Sequence, residues 1–154
     1  MTEREKMLSG ELYDCGDAEL LKRWHLAKRL QQKYNAADSR NKELLDEILS
    51  ELLGSKGDNV WITAPFFVDY GENIHIGNHV EINMNCVFLD CDRIDMGNNS
   101  GIGPGVHLYT VTHPVKASER LSADGTFRKS YTAPITIGND VWIGGSSIVL
   151  PGVT

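Results

Sequence analysis

Apolar residues recur every six positions through the second half of this chain. Ile62, Val68 and Ile74 are spaced by six, as are Ile76, Ile82 and Phe88, then Met96, Ile102 and Leu108, then Ile137, Ile143 and Val149. A period of six matches neither the 3.6 of a helix nor the 2 of a simple strand. It fits a triangular coil of three short flats, each about six residues long with one inward side chain, stacked turn upon turn. This is the hexapeptide signature of a parallel β-helix.

The residues between these positions agree. A small or polar residue follows the inward aliphatic in Ile76-Gly77, Ile82-Asn83, Met96-Gly97, Ile102-Gly103, Ile137-Gly138 and Ile143-Gly144, and small or aliphatic residues sit four further on at Val80, Cys86, Ser100, Val106, Val141, Ser147 and Val153. The corners of a tight triangle need backbone that tolerates positive φ and carries little bulk, which Gly and Asn supply. The alternative, a β-sandwich with Gly-rich turns, would show two-residue alternation and turns every 8–12 residues or so. The chain shows neither.

Composition narrows the function. At 154 residues, with 41% hydrophobic and 23% charged residues, the chain has the make-up of one globular domain or a domain with an appendage. No apolar run approaches the roughly 18–20 residues of a membrane span. The charged start, Met1-Thr2-Glu3-Arg4-Glu5-Lys6, lacks the apolar segment of a secretory signal, so the cytoplasm is the expected location. A net charge of -6 argues against nucleic acid as the main partner. Cys15, Cys86 and Cys91 form neither a disulfide framework nor a zinc motif. Cys86 occupies a small core position, whereas Cys91 falls in a two-residue insertion between flats, which leaves it open to exposure.

The chain divides into a helical segment, residues 1–57, and the coil, residues 58–154, interrupted by a loop at 114–134. Leu20, Trp24, Ala27, Leu30 and Tyr34 lie on one helical stripe with Lys22, Arg29 and Lys33 opposite; Leu26 falls outside it. A second helix runs through Leu44, Leu45, Ile48, Leu49, Leu52 and Leu53, with Asp38 or Ser39 as its expected N-cap and Gly54 as its expected stop. These helices are expected to close the open end of the coil, where stacked strands would otherwise expose unpaired edges. The loop begins directly after Thr112-His113-Pro114, is polar, and carries Lys116, Glu119, Arg120, Asp124, Arg128 and Lys129. A long loop inserted into a regular solenoid is a functional signal. The sequence stops in phase at Pro151-Gly152-Val153-Thr154, an arrangement expected of a longer protein cut short or of an end covered by another chain.

His113 is the leading candidate for chemistry. It closes the last regular flat before the loop, and a neutral imidazole can accept a proton from an alcohol near neutral pH. Asn83 lies about a coil and a half earlier, on another flat, and its amide is suited to stabilising an oxyanion across a groove between neighbouring chains. The remaining histidines, His25, His75, His79 and His107, form no closed ligand set with His113, because residues share a column only when about eighteen apart plus any insertion. No metal is expected. Neither Cys86 nor Cys91 has an activating base nearby in sequence, which speaks against a cysteine nucleophile.

Four stretches carry a family resemblance: Glu5 through Asp14, Asp69-Tyr70-Gly71-Glu72-Asn73-Ile74, Thr112-His113-Pro114, and Ile137 through Gly145. Together they resemble the maltose/galactoside O-acetyltransferase family over nearly the whole chain, including its amino-terminal segment. The resemblance implies a left-handed parallel β-helix, a homotrimer with active sites between subunits, and direct transfer of acetyl from acetyl-CoA to a sugar hydroxyl. It implies His113 as catalytic base, Asn83 as transition-state stabiliser, Asp14, Asp69 and Cys91 at acceptor-contacting positions, and Gly145 at a CoA-contacting one. Cys91 replaces an acid of the galactoside branch, Gly145 replaces a hydroxyl residue of that branch, and Leu89-Asp90-Cys91 is nearer to the maltose branch. Family members continue beyond Pro-Gly-Val-Thr with further coils that build much of the CoA surface. The alternatives are a catalytically impaired trimeric binding or structural protein and an acetyltransferase for a non-sugar xenobiotic.

Overall fold

The computed structural model describes residues 1–125 and 129–154. Twelve short strands form three parallel sheets that face one another as the sides of a left-handed triangular prism. The first flat comprises Ser55–Lys56, Ile74–Ile76, Ile94–Met96 and Ile135–Ile137; the second Trp61–Ile62, Glu81–Ile82, Gly101–Ile102 and Trp142–Ile143; the third Phe66–Val68, Cys86–Leu89, His107–Tyr109 and Ile148–Val149. The register stacks like on like. Ile62, Ile82, Ile102 and Ile143 form one inward column, and Val68, Phe88, Leu108 and Val149 another. Phe66 and Phe88 meet edge to face at 5.1 Å inside the prism.

One coil takes 20 residues, as the pairings of Ile62 with Ile82 and Ile82 with Ile102 require. That exceeds three hexads by two, and the surplus lies at one corner in every coil: after Val68, after Phe88 and after Leu108. The two-residue insertion read at Cys91 is thus a regular feature. The long loop grows from this same wide corner, because the ladder that stops after Leu108 resumes at Ile135, paired with Ile94. Arg128 of that loop lies outside the described residues.

The two tight corners follow local chemistry. Asn59, His79, Asn99 and Asp140 stack at φ of 56° to 58°, a left-handed conformation that Asn and Asp tolerate. Beside them runs an amide ladder in which the N–H groups of Asp58, Asn78 and Asn98 donate to Oδ1 of Asn78, Asn98 and Asn139, each at 2.8 Å. A Cβ at Gly77 would stand 2.5 Å from Asn98 Oδ1, so glycine is required where the ladder passes.

Helix α1 (Glu3–Leu8) is followed by α2 (Ala18–Ala36) and α3 (Lys42–Leu52). The stripe on α2 is buried at Leu20, Ala27, Leu30 and Tyr34, while Leu26 is exposed. The cap of α3 differs from expectation. Asn41 accepts from Leu44 N–H, and Asp38 instead pairs with Arg40 at 2.7 Å. Nor is Gly54 a helix stop of the left-handed kind; α3 ends at Leu52, and a Cβ on Gly54 would stand 2.3 Å from the Glu72 carbonyl.

Helix α2 closes the amino-terminal end of the prism by bonding the first coil's free edge. Asn35 holds Phe66 from both sides, Oδ1 accepting from its N–H at 2.9 Å and Nδ2 donating to its carbonyl at 3.0 Å. Gln31 accepts from Val68 N–H at 2.8 Å, Lys28 donates to the Val68 carbonyl, and Tyr34 donates to Ile62 at 2.5 Å. Side chains thus replace the strand that is missing below. Asn35→Ala is expected to lose about 1–3 kcal/mol of stability, since it strands both backbone groups of Phe66. The check is a lower urea midpoint at an unchanged m-value.

Candidate active site

The wide corner gathers most of the residues singled out in the sequence. Strand Val111–Thr112 leaves the third flat there and pairs antiparallel with Lys129–Thr132, which pairs in turn with Tyr13–Asp14. Met7, Tyr13, Leu20, Tyr70 and Cys91 form a small second core beneath this ribbon, with Trp24 and Val111 packed against it. The amino-terminal segment is therefore part of the site's floor as well as of the cap.

His113 stands at the end of Val111–Thr112, exposed beside the buried Pro114. Its Nδ1 is 2.9 Å from the Lys129 carbonyl oxygen and 3.2 Å from Ser130 Oγ. A carbonyl oxygen only accepts, so Nδ1 carries the hydrogen and the neutral ring keeps its lone pair on Nε2. The ring borders a groove of about 360 Å³ with Ala117, Arg120 and Leu121. A base oriented through its other nitrogen, open to a groove, is an arrangement suited to removing a proton from a bound alcohol.

Asp69 lies at the same corner, held by two donors and a nearby cation. Trp24 Nε1 donates to Oδ1 at 3.2 Å, Cys91 Sγ to Oδ2 at 3.4 Å, and Lys28 Nζ is 3.8 Å away. The Asp69 side chain keeps 20% of its surface accessible. Asp14 is fixed by its strand pairing with Lys129, by donation of its N–H to Glu3 Oε2 at 2.6 Å, and by acceptance from Gly16 N–H at 2.7 Å.

Cys91 departs from the sequence reading: it is 6% exposed, and its thiol is spent on Asp69. Burial, reinforced by the Asp69 charge, pushes its pKa well above the ordinary thiol value. A thiol held protonated donates and does not attack.

The residue missed in the sequence is Asp90. It is fully buried, and burial pushes its pKa up to about 8 against the pull of the Tyr70 amide. The available signal was positional: a charged residue at a corner position that carries Tyr70 one coil before and Thr110 one coil after.

Asn83 and Gly145 stand apart from this group. Both belong to the tight corner between the second and third flats, whereas His113, Asp69 and Cys91 lie beyond the far end of the third. Asn83 is half-buried, and its Oδ1 accepts from Met84 N–H at 2.8 Å. Gly145 is exposed against Pro104, whose carbonyl would lie 3.0 Å from an added Cβ. The other histidines have separate partners: His25 meets Trp24, His75 meets Ser55, His79 meets Asn59 and His107 meets Tyr109.

Residues 6–57 match the maltose acetyltransferase hexapeptide capping motif. The maltose O-acetyltransferase of Clostridium difficile 630 superposes with a TM-score of 0.93 at 39% identity, over 99% of this chain and 79% of that one. This chain belongs to the maltose/galactoside O-acetyltransferase family. A galactoside acetyltransferase solved with coenzyme A matches at a TM-score of 0.91 and 32% identity, over 99% of this chain and 74% of that one. Nodulation protein L of Rhizobium meliloti (strain 1021) is 40% identical over 99% of this chain and 81% of its own length.

The three thiols differ in access: Cys15 is exposed, whereas Cys86 and Cys91 are buried. Iodoacetamide at pH 8 is expected to modify the exposed Cys15 in the native protein and to reach the buried Cys86 and Cys91 only after unfolding, as peptide mass mapping with and without denaturant would register.

Proposed function

We propose that the protein transfers the acetyl group of acetyl-CoA to a hydroxyl of a small sugar of the glucose or maltose type, with His113 as general base. The observation that carries this reading is the Nδ1–H bond from His113 to the Lys129 carbonyl, which leaves the lone pair on Nε2 of a ring that borders the groove. Nε2 takes the proton of the acceptor hydroxyl as its oxygen attacks the thioester carbonyl. A tetrahedral oxyanion forms, the carbon–sulfur bond breaks, and the proton passes from the imidazolium to the departing CoA sulfur. No covalent enzyme intermediate is involved, which agrees with a protein whose Cys86 and Cys91 are buried.

Asn83 supplies the amide hydrogens for the oxyanion, and Gly145 lies on the donor side, where a bare Cα lets a bound chain approach. Asp14 and Asp69 bind hydroxyls of the acceptor, and Cys91 acts on the acceptor by fixing Asp69. The name of the galactoside acetyltransferase complex supports CoA as donor, and the names of that protein and of the Clostridium relative support a sugar as acceptor. A homotrimer completes the site, since it sets the Asn83 corner of one subunit against the His113 corner of the next.

The test is thiol release from acetyl-CoA with maltose, glucose and a β-galactoside as acceptors. His113→Ala is expected to lower kcat by roughly 10²–10⁴-fold with an unchanged circular dichroism spectrum and assembly state. Asn83→Ala is expected to cost roughly 10²–10³-fold. An active His113→Ala protein, or release that is indifferent to added sugar, would overturn the proposal.

A further inference from the structure

The wide corner poses a larger hydrogen-bonding problem than the tight corner, where each Asn Oδ1 takes a single backbone N–H. Two surplus residues per coil leave backbone N–H groups pointing inwards, out of reach of the ladder. Asp90 meets this need. Its Oδ1 accepts from the N–H groups of Asp69 at 3.0 Å and Tyr70 at 2.9 Å, and its Oδ2 accepts from Asn73 N–H at 3.3 Å. The Asn73 side chain returns a bond to the Asp90 carbonyl at 2.7 Å. Gly71, at φ 73°, makes the bend that folds residues 69–73 over the carboxyl, and a Cβ there would stand 2.5 Å from the Leu52 carbonyl.

One coil further on, the same position is Thr110. It too is fully buried, accepts from Asp92 N–H at 2.8 Å and donates to the Leu89 carbonyl at 2.7 Å. A neutral hydroxyl suffices there for one amide. At position 90 a carboxyl gathers three amides, and the first belongs to Asp69. The side chain of Asp69 leaves the turn at its first residue, where Trp24 and Cys91 take hold of it. Asp69 is thus gripped twice, by Asp90 at the backbone and by Trp24 and Cys91 at the carboxylate.

We propose that Asp90 is a positioning residue of the acceptor site: its buried carboxyl holds the Asp69–Asn73 turn and thereby sets where the Asp69 carboxylate meets the sugar. This rests on the reading of Asp69 as an acceptor-binding residue. Asp90 touches neither substrate nor His113; it acts through the Asp69–Asn73 turn, so its loss reads on acceptor affinity and not on the base.

Asp90→Asn keeps the size of the side chain but gives it a single carbonyl oxygen for three amides, with an NH₂ group facing one of them. Asp90→Thr installs the residue that the stack uses one coil later. The experiment measures KM for the best sugar acceptor, KM for acetyl-CoA, kcat and Tm for the wild type, both variants and Asp69→Asn, together with amide hydrogen exchange at Asp69, Tyr70 and Asn73. The acceptor KM is expected to rise roughly ten- to hundredfold in Asp90→Asn, less in Asp90→Thr, with kcat at saturating sugar and KM for acetyl-CoA unchanged, and with exchange accelerated at those three amides.

A variant that lowers Tm and degrades both substrate constants alike would make Asp90 merely structural and overturn the proposal, as would an unchanged acceptor KM. A wild type that acetylates sugars normally while Asp69→Asn leaves the acceptor KM unmoved would overturn the role of Asp69, and Asp90 with it. A wild type that turns over no sugar overturns the functional reading instead. Exchange then decides the turn-holding step: selective loss of protection at Asp69, Tyr70 and Asn73 in Asp90→Asn upholds it, and retained protection overturns it.

Discussion

Every other feature of this molecule depends on backbone pairing between successive coils. Each strand is only two to four residues long and has no stability of its own; it exists because an equivalent strand lies directly above or below it. Pairing fixes which side chains stack, and stacking turns a six-residue repeat into continuous apolar columns such as Val68, Phe88, Leu108 and Val149. The same dependence creates a problem at the first coil, where the lower partner is missing. Helix α2 answers it with amides and a hydroxyl at Gln31, Asn35 and Tyr34. An amide side chain presents the same donor and acceptor as a peptide group, so Asn35 can hold Phe66 much as a neighbouring strand would.

The second consequence concerns the corners. Two of the three are tight and repetitive, and Gly and Asn recur at them. The third is wider by two residues, and its spare amides need side-chain partners, which come from Asp90 and Thr110. Because that corner does not rely on the ladder, it tolerates an insertion between Leu108 and Ile135 without disturbing register on either side. Change is tolerated where it does not break pairing, and the candidate acceptor residues lie at this corner. Asp69, Cys91 and His113 all belong to this corner, and the amino-terminal strand that carries Asp14 is tied to it through Lys129–Thr132.

This logic also explains what was legible in the sequence. The hexads read directly, because inward positions answer to one simple demand, burial. The helical stripe of α2 was readable for the same reason, and His113 stood out by its place at a broken repeat. The N-cap of α3 was misread because Asp38, Ser39 and Asn41 are all competent caps and their choice depends on where α2 ends. The burial of Cys91 was hidden, since Met7, Tyr13 and Leu20 come from far upstream to cover it. Asp90 escaped notice because a charged residue at a corner looks solvated until the turn above it is known. The tautomer of His113 depends on a carbonyl sixteen positions away, across a loop without periodicity.

The separation of the two proposed reacting groups carries the argument to the assembly. Asn83 precedes the strand Cys86–Leu89, and His113 lies beyond the far end of the same flat. Four extended residues span roughly 13 Å, whereas an oxyanion donor and a base serving one thioester carbonyl must both lie within about 3–3.5 Å of the reacting atoms. On the proposed reading, in which both groups serve one thioester, the base of one copy meets the amide of another across facing flats. The rigidity of the stack keeps the two ends of the flat apart within one chain, and in the proposed assembly the same rigidity holds the His113 end of one copy in fixed register with the Asn83 end of the next.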